Sequence, residues 1–237
     1  MNSIAERIKE VRNEIARICD QHEREQNSVK LIAVSKTKPA ADIASAYHAG
    51  QRDFGENYVQ EAIAKIMQLS EYDITWHFIG PIQSNKTRDI AEHFAWVHSV
   101  DRAKIARRLA EQRPANMPPL NVLIQVNIDD DQAKAGVLPE DVAELAAVIS
   151  DFPQLQLRGL MTIPAVQAEP SDSASSFLAM QRLFLELQSQ YKQVDTLSMG
   201  MSADWPYAVA AGATMIRIGT ALFGARANTP KNTGNPA

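Results

Sequence analysis

The chain contains one cysteine, Cys19, in 237 residues, so an internal disulfide is excluded and a reducing compartment such as the cytoplasm is expected. It has no apolar run approaching the ~20 residues of a membrane-spanning helix, and no membrane partner is expected. Positive charge is not in excess. Lysine and arginine total 24 against 28 aspartate and glutamate, for a net charge of −4, and no basic stripe is interleaved with aromatics. Nucleic acid is therefore not expected as a partner. No His-x-x-x-His pair or His/Asp cluster suggests a metal. No Gly-x-Gly-x-x-Gly follows the first β-like segment, which removes the usual dinucleotide signal. Internal repeats and low-complexity linkers are also missing. What is present is 45% hydrophobic residues, enough for a globular protein with a real core.

Short β-rich apolar runs alternate with longer amphipathic stretches. The runs are 31–36, 53–56, 76–80, 96–100, 121–128, 157–163, 196–200 and 215–219. Between them, Ile105-Ala106 with Leu109-Ala110, Val142 with Leu145-Ala146 and Ile149, and Phe177 with Met180, Phe184 and Leu187 mark helical faces. Ile4, Ile8 and Val11 predict an amphipathic helix before the first strand. Gly50 and Gly212 stand where helix C-terminal caps belong, and Pro39, Pro139 and Pro206 near helix starts. Nearly continuous apolar strands such as Val122–Val126 indicate a sheet covered on both faces. The alternation predicts an α/β fold, and eight strands favour a single (β/α)8 TIM-type barrel with an extra N-terminal helix over an open doubly wound sheet. One domain over residues 1–226 is expected, followed by a frayed tail at 227–237 rich in Asn, Thr, Pro and Gly.

Barrel chemistry sits at the C-terminal ends of the strands, and phosphate often binds after strands seven and eight. Lys36 ends the first run. Desolvation disfavours a charged lysine, and a neutral amine condenses with aldehydes, of which pyridoxal phosphate is the commonest in cofactor chemistry. The plainer alternative is a lysine that snorkels to solvent. Ser202 precedes a helix, where its hydroxyl suits either an anion or ordinary capping; Asp204 can take over the cap and leave that hydroxyl free. Gly219-Thr220 offers a close backbone approach with an adjacent hydroxyl, or a plain turn. Arg217 needs a buried partner, either an acidic residue or a pyridine nitrogen, which a guanidinium would keep unprotonated. His77 and His98 read as satisfied core histidines, Cys19 as a structural thiol and Lys134 as a solvated loop charge.

The segments Leu31–Lys38, Phe54–Glu61, Trp76–Gly80, Gln83–Lys86, Arg158–Met161, Ser198–Asp204 and Ile216–Gly224, in this order and spacing, resemble the pyridoxal-phosphate homeostasis protein family. The resemblance spans nearly the whole chain. Ile82 stands where leucine is more usual, and Trp205-Pro206-Tyr207 is an unusual helix start. The resemblance implies a barrel like the N-terminal domain of alanine racemase, with pyridoxal 5'-phosphate in imine linkage to Lys36. It further implies phosphate contacts at Ser202, Gly219 and Thr220, Arg217 near the pyridine nitrogen, and Asn57 close to the cofactor. It also implies a monomeric cofactor carrier, with apo forms of pyridoxal-phosphate enzymes as partners and no residue in a catalytic role. The alternative is an amino-acid racemase. That chemistry needs a second acid/base, which the resembling racemases take from an additional β-domain, and this chain ends soon after its eighth strand.

Overall fold

The computed structural model describes residues 2–165, 169–201 and 203–224. Eight parallel strands close into a barrel in sequence order: β1 (Lys30–Val34), β2 (Asp53–Glu56), β3 (Thr75–Phe78), β4 (Trp96–Val100), β5 (Leu120–Val126), β6 (Leu155–Thr162), β7 (Thr196–Ser198) and β8 (Met215–Ile218). β8 returns to β1 with Lys30 opposite Met215 and Ile32 opposite Arg217. All eight expected strands are present, and the barrel expectation is met. The strand ends differ by at most two residues from the apolar runs, most usefully at β1, which stops at Val34 and leaves Lys36 in a turn.

The helices are α1 (Ile4–Gln21), α2 (Ala40–His48), α3 (Val59–Gln68), α4 (Thr87–His93), α5 (Ala103–Gln112), α6 (Val142–Ser150), α7 (Ala174–Gln190), α8 (Trp205–Ala210) and α9 (Thr220–Phe223). α1 begins with a reciprocal capping box: Ser3 Oγ accepts from the Glu6 N–H, and the Glu6 carboxylate accepts from the Ser3 N–H at 2.7 Å. Arg7 and Arg24 then tie the N-terminal segment to the end of the barrel. Arg7 Nε donates to Leu222 O at 2.6 Å, and Arg24 donates to Val209 O and Ala213 O. Gly50 and Gly212 both have φ near +90° (86° and 94°), the left-handed conformation in which glycine ends a helix without a Cβ clash.

Period-two alternation sorts the strand side chains. One set packs outwards against the helices, where the predicted faces of α5, α6 and α7 are buried. The other fills the barrel, with Ile32, Trp96, Leu123, Met161 and Met215 as an apolar cluster. His77, His98, Ser198 and Arg217 are buried polar groups. Among the described residues no helix is long and apolar enough to cross a membrane. Leu109 is fully buried between α5 and the sheet. Leu109→Ala is expected to lower unfolding free energy by about 2–5 kcal/mol through lost transfer energy plus a cavity. A urea titration checks this as a lower midpoint with an unchanged slope.

Candidate functional site

A cleft of about 230 Å³ opens at the C-terminal end of the barrel, with Lys36, Asn57, Arg217, Gly219 and Thr220 on its walls. Five of the six candidate residues thus meet in one place, although they come from β1, β2 and β8 and the segments that follow them. The sixth, Ser202, lies outside the described residues. A wider hollow of about 350 Å³ lies at the opposite mouth, between α1 and the starts of β1 and β2. Four of its polar groups, Arg12, Lys30, Gln51 and Asp53, are bonded to one another or to nearby backbone.

The Lys36 turn is held from outside the sheet. Ser35 O accepts from the Lys38 N–H and, at 2.8 Å, from Lys65 Nζ of α3. Lys65 also donates to Glu56 Oε1 at 2.8 Å and Glu61 Oε1 at 2.5 Å, and Ser35 Oγ donates to Glu56 Oε1 at 2.6 Å. Glu61 Oε1 then accepts from the Thr37 N–H at 2.5 Å. The peptide units on both sides of Lys36 are therefore clamped by a single ion cluster. Thr37 has φ 63°, a left-handed conformation that costs a β-branched residue about 1–3 kcal/mol unless its surroundings enforce it. Burial pushes the Glu56 carboxyl up, and Lys65 and Ser35 pull it back. Reading the sequence alone missed this cluster; the Glu61/Lys65 spacing of four on a helix was the available signal.

Arg217 points into the barrel and is buried. It donates through Nη1 to Ser198 Oγ at 2.7 Å and through Nη2 to Thr162 O at 2.8 Å. Its partners are thus neutral oxygens. Burial pulls its pKa down to about 10, so it remains a cation and a donor at neutral pH. Asn57, on the opposite wall, has an Oδ1 atom that is buried without a hydrogen-bond partner among the described residues. Its backbone is pressed against Gly80, where a Cβ would fall 2.3 Å from Asn57 O.

Gly219 precedes α9, and here the close approach is to β1: a Cβ at this position would meet Val34 O at 3.1 Å. Lys38 Nζ donates to Phe223 O and Gly224 O at the other end of α9, so the segment after β1 fixes the segment after β8. Asp204 stands at the start of α8, but its carboxylate accepts from the Met201 N–H at 2.6 Å and does not cap the helix. Lys134 is not the solvated loop charge expected. Its Nζ donates to Ile163 O and Pro164 O, pinning the loop after β5 to the end of β6, an arrangement no local sequence pattern discloses.

A family model described as "Alanine racemase, N-terminal domain" matches residues 7–227. The pyridoxal phosphate homeostasis protein of Pseudomonas aeruginosa is 54% identical over 226 residues, covering 95% of this chain and 97% of that protein. The Escherichia coli K12 protein of the same name is 52% identical over 229 residues, covering 95% and 98%. The chain belongs to the pyridoxal phosphate homeostasis protein family. Among solved structures, PipY of Synechococcus elongatus PCC7942 with PLP bound is 43% identical with a TM-score of 0.81, covering 94% of this chain and all of that one. Alanine racemase from Corynebacterium glutamicum, at 16% identity and a TM-score of 0.64, shares the fold and is covered over 64% of its length.

Two measurements test the supports of this homeostasis-family site. Lys65→Met leaves the buried Glu56 carboxylate unpaired and is expected to cost about 3–5 kcal/mol, with the Glu56→Leu/Lys65→Met double variant recovering much of it in a double-mutant cycle. The second concerns pH. Burial holds the His98 pKa well below its usual value, with His77 and Arg217 acting in the same direction, and burial also lowers that of His77 against the pull of Asp53. A base whose folded pKa is depressed binds its proton first in the unfolded chain. Stability is therefore complete above the unfolded pKa of about 6.5 and falls on acidification below it, by up to about 1.4 kcal/mol per pH unit for each histidine. A denaturation midpoint that stays level as pH falls below about 6 contradicts this assignment.

Proposed function

We propose that this chain binds pyridoxal 5'-phosphate in the cleft through Lys36, and that it buffers and carries the cofactor in vitamin B6 homeostasis rather than turning over a substrate. The observation that carries the reading is the convergence of an amine, a donor-only guanidinium and an unpartnered buried acceptor on one cleft. The relatives' names and the bound PLP of PipY point the same way. When bound, pyridoxal phosphate supplies an aldehyde that condenses reversibly with an amine, and a ring that withdraws electrons from it.

The chain's own residues fit that group. Lys36 presents its amine from a turn whose flanking peptides are fixed by Lys65 and Glu61. Arg217, which lines the cleft and is unable to accept, would donate to the ring nitrogen and so keep it unprotonated and the ring a weak electron sink. Asn57 Oδ1 would accept from the ligand, and Gly219, Thr220 and Ser202 would hold the phosphate.

The carrier reading has further support in the lining of the cleft. Racemisation needs an acid/base on each face of the substrate carbon. Among the described residues lining the cleft, Lys36 and Arg217 are the groups that ionise, and Arg217 is committed as a donor. The recipients are apo forms of pyridoxal-phosphate enzymes. The buried free thiol of Cys19 suits a reducing cytoplasm.

Protein mixed with pyridoxal phosphate is expected to absorb in the visible and, after borohydride reduction, to carry the cofactor's mass on Lys36. Lys36→Ala should lose both signals, and a wild type that takes up no cofactor overturns the reading. On the same sample, alanine is expected to keep its configuration while an added apo-enzyme gains activity. Racemisation above the rate of free cofactor would instead make the protein an enzyme.

A further inference from the structure

A continuous chain of hydrogen bonds runs down the inside of the barrel from the cleft to the opposite mouth. Arg217 Nη1 donates to Ser198 Oγ at 2.7 Å. Ser198 Oγ lies 3.0 Å from His98 Nδ1, His98 Nε2 lies 2.9 Å from His77 Nδ1, and His77 Nε2 lies 3.0 Å from Asp53 Oδ1. Asp53 Oδ1 also accepts from Lys30 Nζ at 3.1 Å, at the edge of the wide hollow. His77, His98 and Ser198 are fully buried.

The two ends of this chain dictate its direction. Arg217 has no acceptor, so Ser198 Oγ must accept from it and send its own proton elsewhere. Ionised Asp53 has no donor, so His77 must present Nε2–H to it. A neutral His77 then accepts at Nδ1 from His98 Nε2–H, and a neutral His98 accepts at Nδ1 from Ser198. Four bonds, reasoned independently from either end, agree on one arrangement. The reverse arrangement needs an extra proton. His77 would become an imidazolium, His98 would carry its proton on Nδ1, and Ser198 Oγ would face two donors. The groups around the rings oppose this charge or accommodate it as follows. Asp53 of β2 favours an imidazolium at His77; Lys30 of β1 and Arg217 of β8 oppose added positive charge; Trp96 of β4 stacks on His77 at 16° and supplies no counter-charge.

We infer that Arg217, acting through Ser198, and Asp53, acting from the other end, together fix His98 and His77 as neutral Nε2–H tautomers, and that the aligned chain in turn holds the guanidinium in place at the cleft. Every dipole in the chain turns its negative end to Arg217 and its positive end to Asp53. A cation and an anion at opposite mouths are thereby joined through polarised neutral groups, which strengthen one another in a low dielectric. Ser198, His98 and His77 are positioning residues for Arg217 and touch no ligand. The tautomers follow from the protein alone; the consequence for binding rests on the cofactor reading above.

The test is nitrogen NMR of histidine-labelled full-length protein near pH 7, without cofactor. Both rings are expected to show a protonated Nε2 and an unprotonated Nδ1. In Ser198→Ala, His98 Nδ1 loses its donor, and its signal is expected to move to that of an unprotonated nitrogen without a hydrogen bond, while Asp53 still holds both rings protonated at Nε2. Wild-type rings protonated at Nδ1, or a His98 signal unmoved by Ser198→Ala, overturn the inference. In the second arm, pyridoxal phosphate is titrated into both proteins. Loss of one hydrogen bond to a charged group predicts about tenfold weaker binding to Ser198→Ala. Equal affinity, with the tautomers as expected, overturns the positioning role. A wild type that binds no cofactor defeats the functional reading, while the NMR arm still decides the tautomers.

Discussion

Closure of the sheet between β8 and β1 is the constraint on which the site depends. With Ile32 opposite Arg217 and Ala33 opposite Ile218, the segments that follow the two strands leave the barrel side by side. Lys36 and Gly219-Thr220 are more than 180 residues apart in sequence and share one cleft for that reason alone. The contact is close at 219, where a Cβ would meet Val34 O at 3.1 Å and force one of the two strands' ends to give way. Lys38 and Arg7 reinforce the closure by holding the carbonyls at the end of α9. A barrel without edges also leaves no strand exposed to pairing with another chain.

Two polar systems, one on each side of the sheet, hold the reactive ends of these strands. Outside it, Lys65, Glu56 and Glu61 fix the turn that carries Lys36. Inside it, the hydroxyl and the two imidazoles fix Arg217. The two systems differ in how they handle buried charge. The outer one pairs a lysine with two carboxylates at close range, where desolvation is offset by direct Coulomb attraction. The inner one separates its charges by the depth of the barrel and fills the gap with neutral groups. A direct carboxylate partner at Arg217 would neutralise the guanidinium's field where the ring nitrogen is expected. A hydroxyl and a carbonyl satisfy its protons and leave that field in place.

Much of this was legible in the sequence, for identifiable reasons. The strands are short, apolar and β-rich, and they alternate with helices whose apolar faces recur every three to four residues, so the barrel followed from periodicity. Lys36, Arg217 and Gly219-Thr220 were legible because charged or hydroxyl groups break apolar runs at the ends expected to carry chemistry. Asn57 was placed by resemblance alone, and its buried acceptor emerged only with the fold. Glu56 and Lys65 were missed and Lys134 was misread as a solvated charge, since each acts on a backbone carbonyl or side chain brought close by tertiary packing. His77 and His98 were correctly read as core histidines, but neither their mutual contact nor the path to Arg217 is encoded in local spacing.

The conformation of Thr37 links the outer cluster to what the cleft does. A β-branched residue in the left-handed region is strained, and at this turn a glycine would relieve the strain. A glycine would also loosen the turn, because it restores the backbone freedom that threonine removes. The threonine is tolerated because its N–H is held by Glu61, which is itself held by Lys65. Strain and ion cluster together therefore give a turn with one conformation, and the amine of Lys36 emerges from it in a defined direction. Reversible capture of an aldehyde, as proposed for Lys36, would benefit from such a turn, since each release would otherwise be followed by a search for the productive orientation. On the function proposed above, the stiffness of the turn, rather than a proton-transfer partner among the described residues of the cleft wall, is what this barrel would contribute to holding a carbonyl compound.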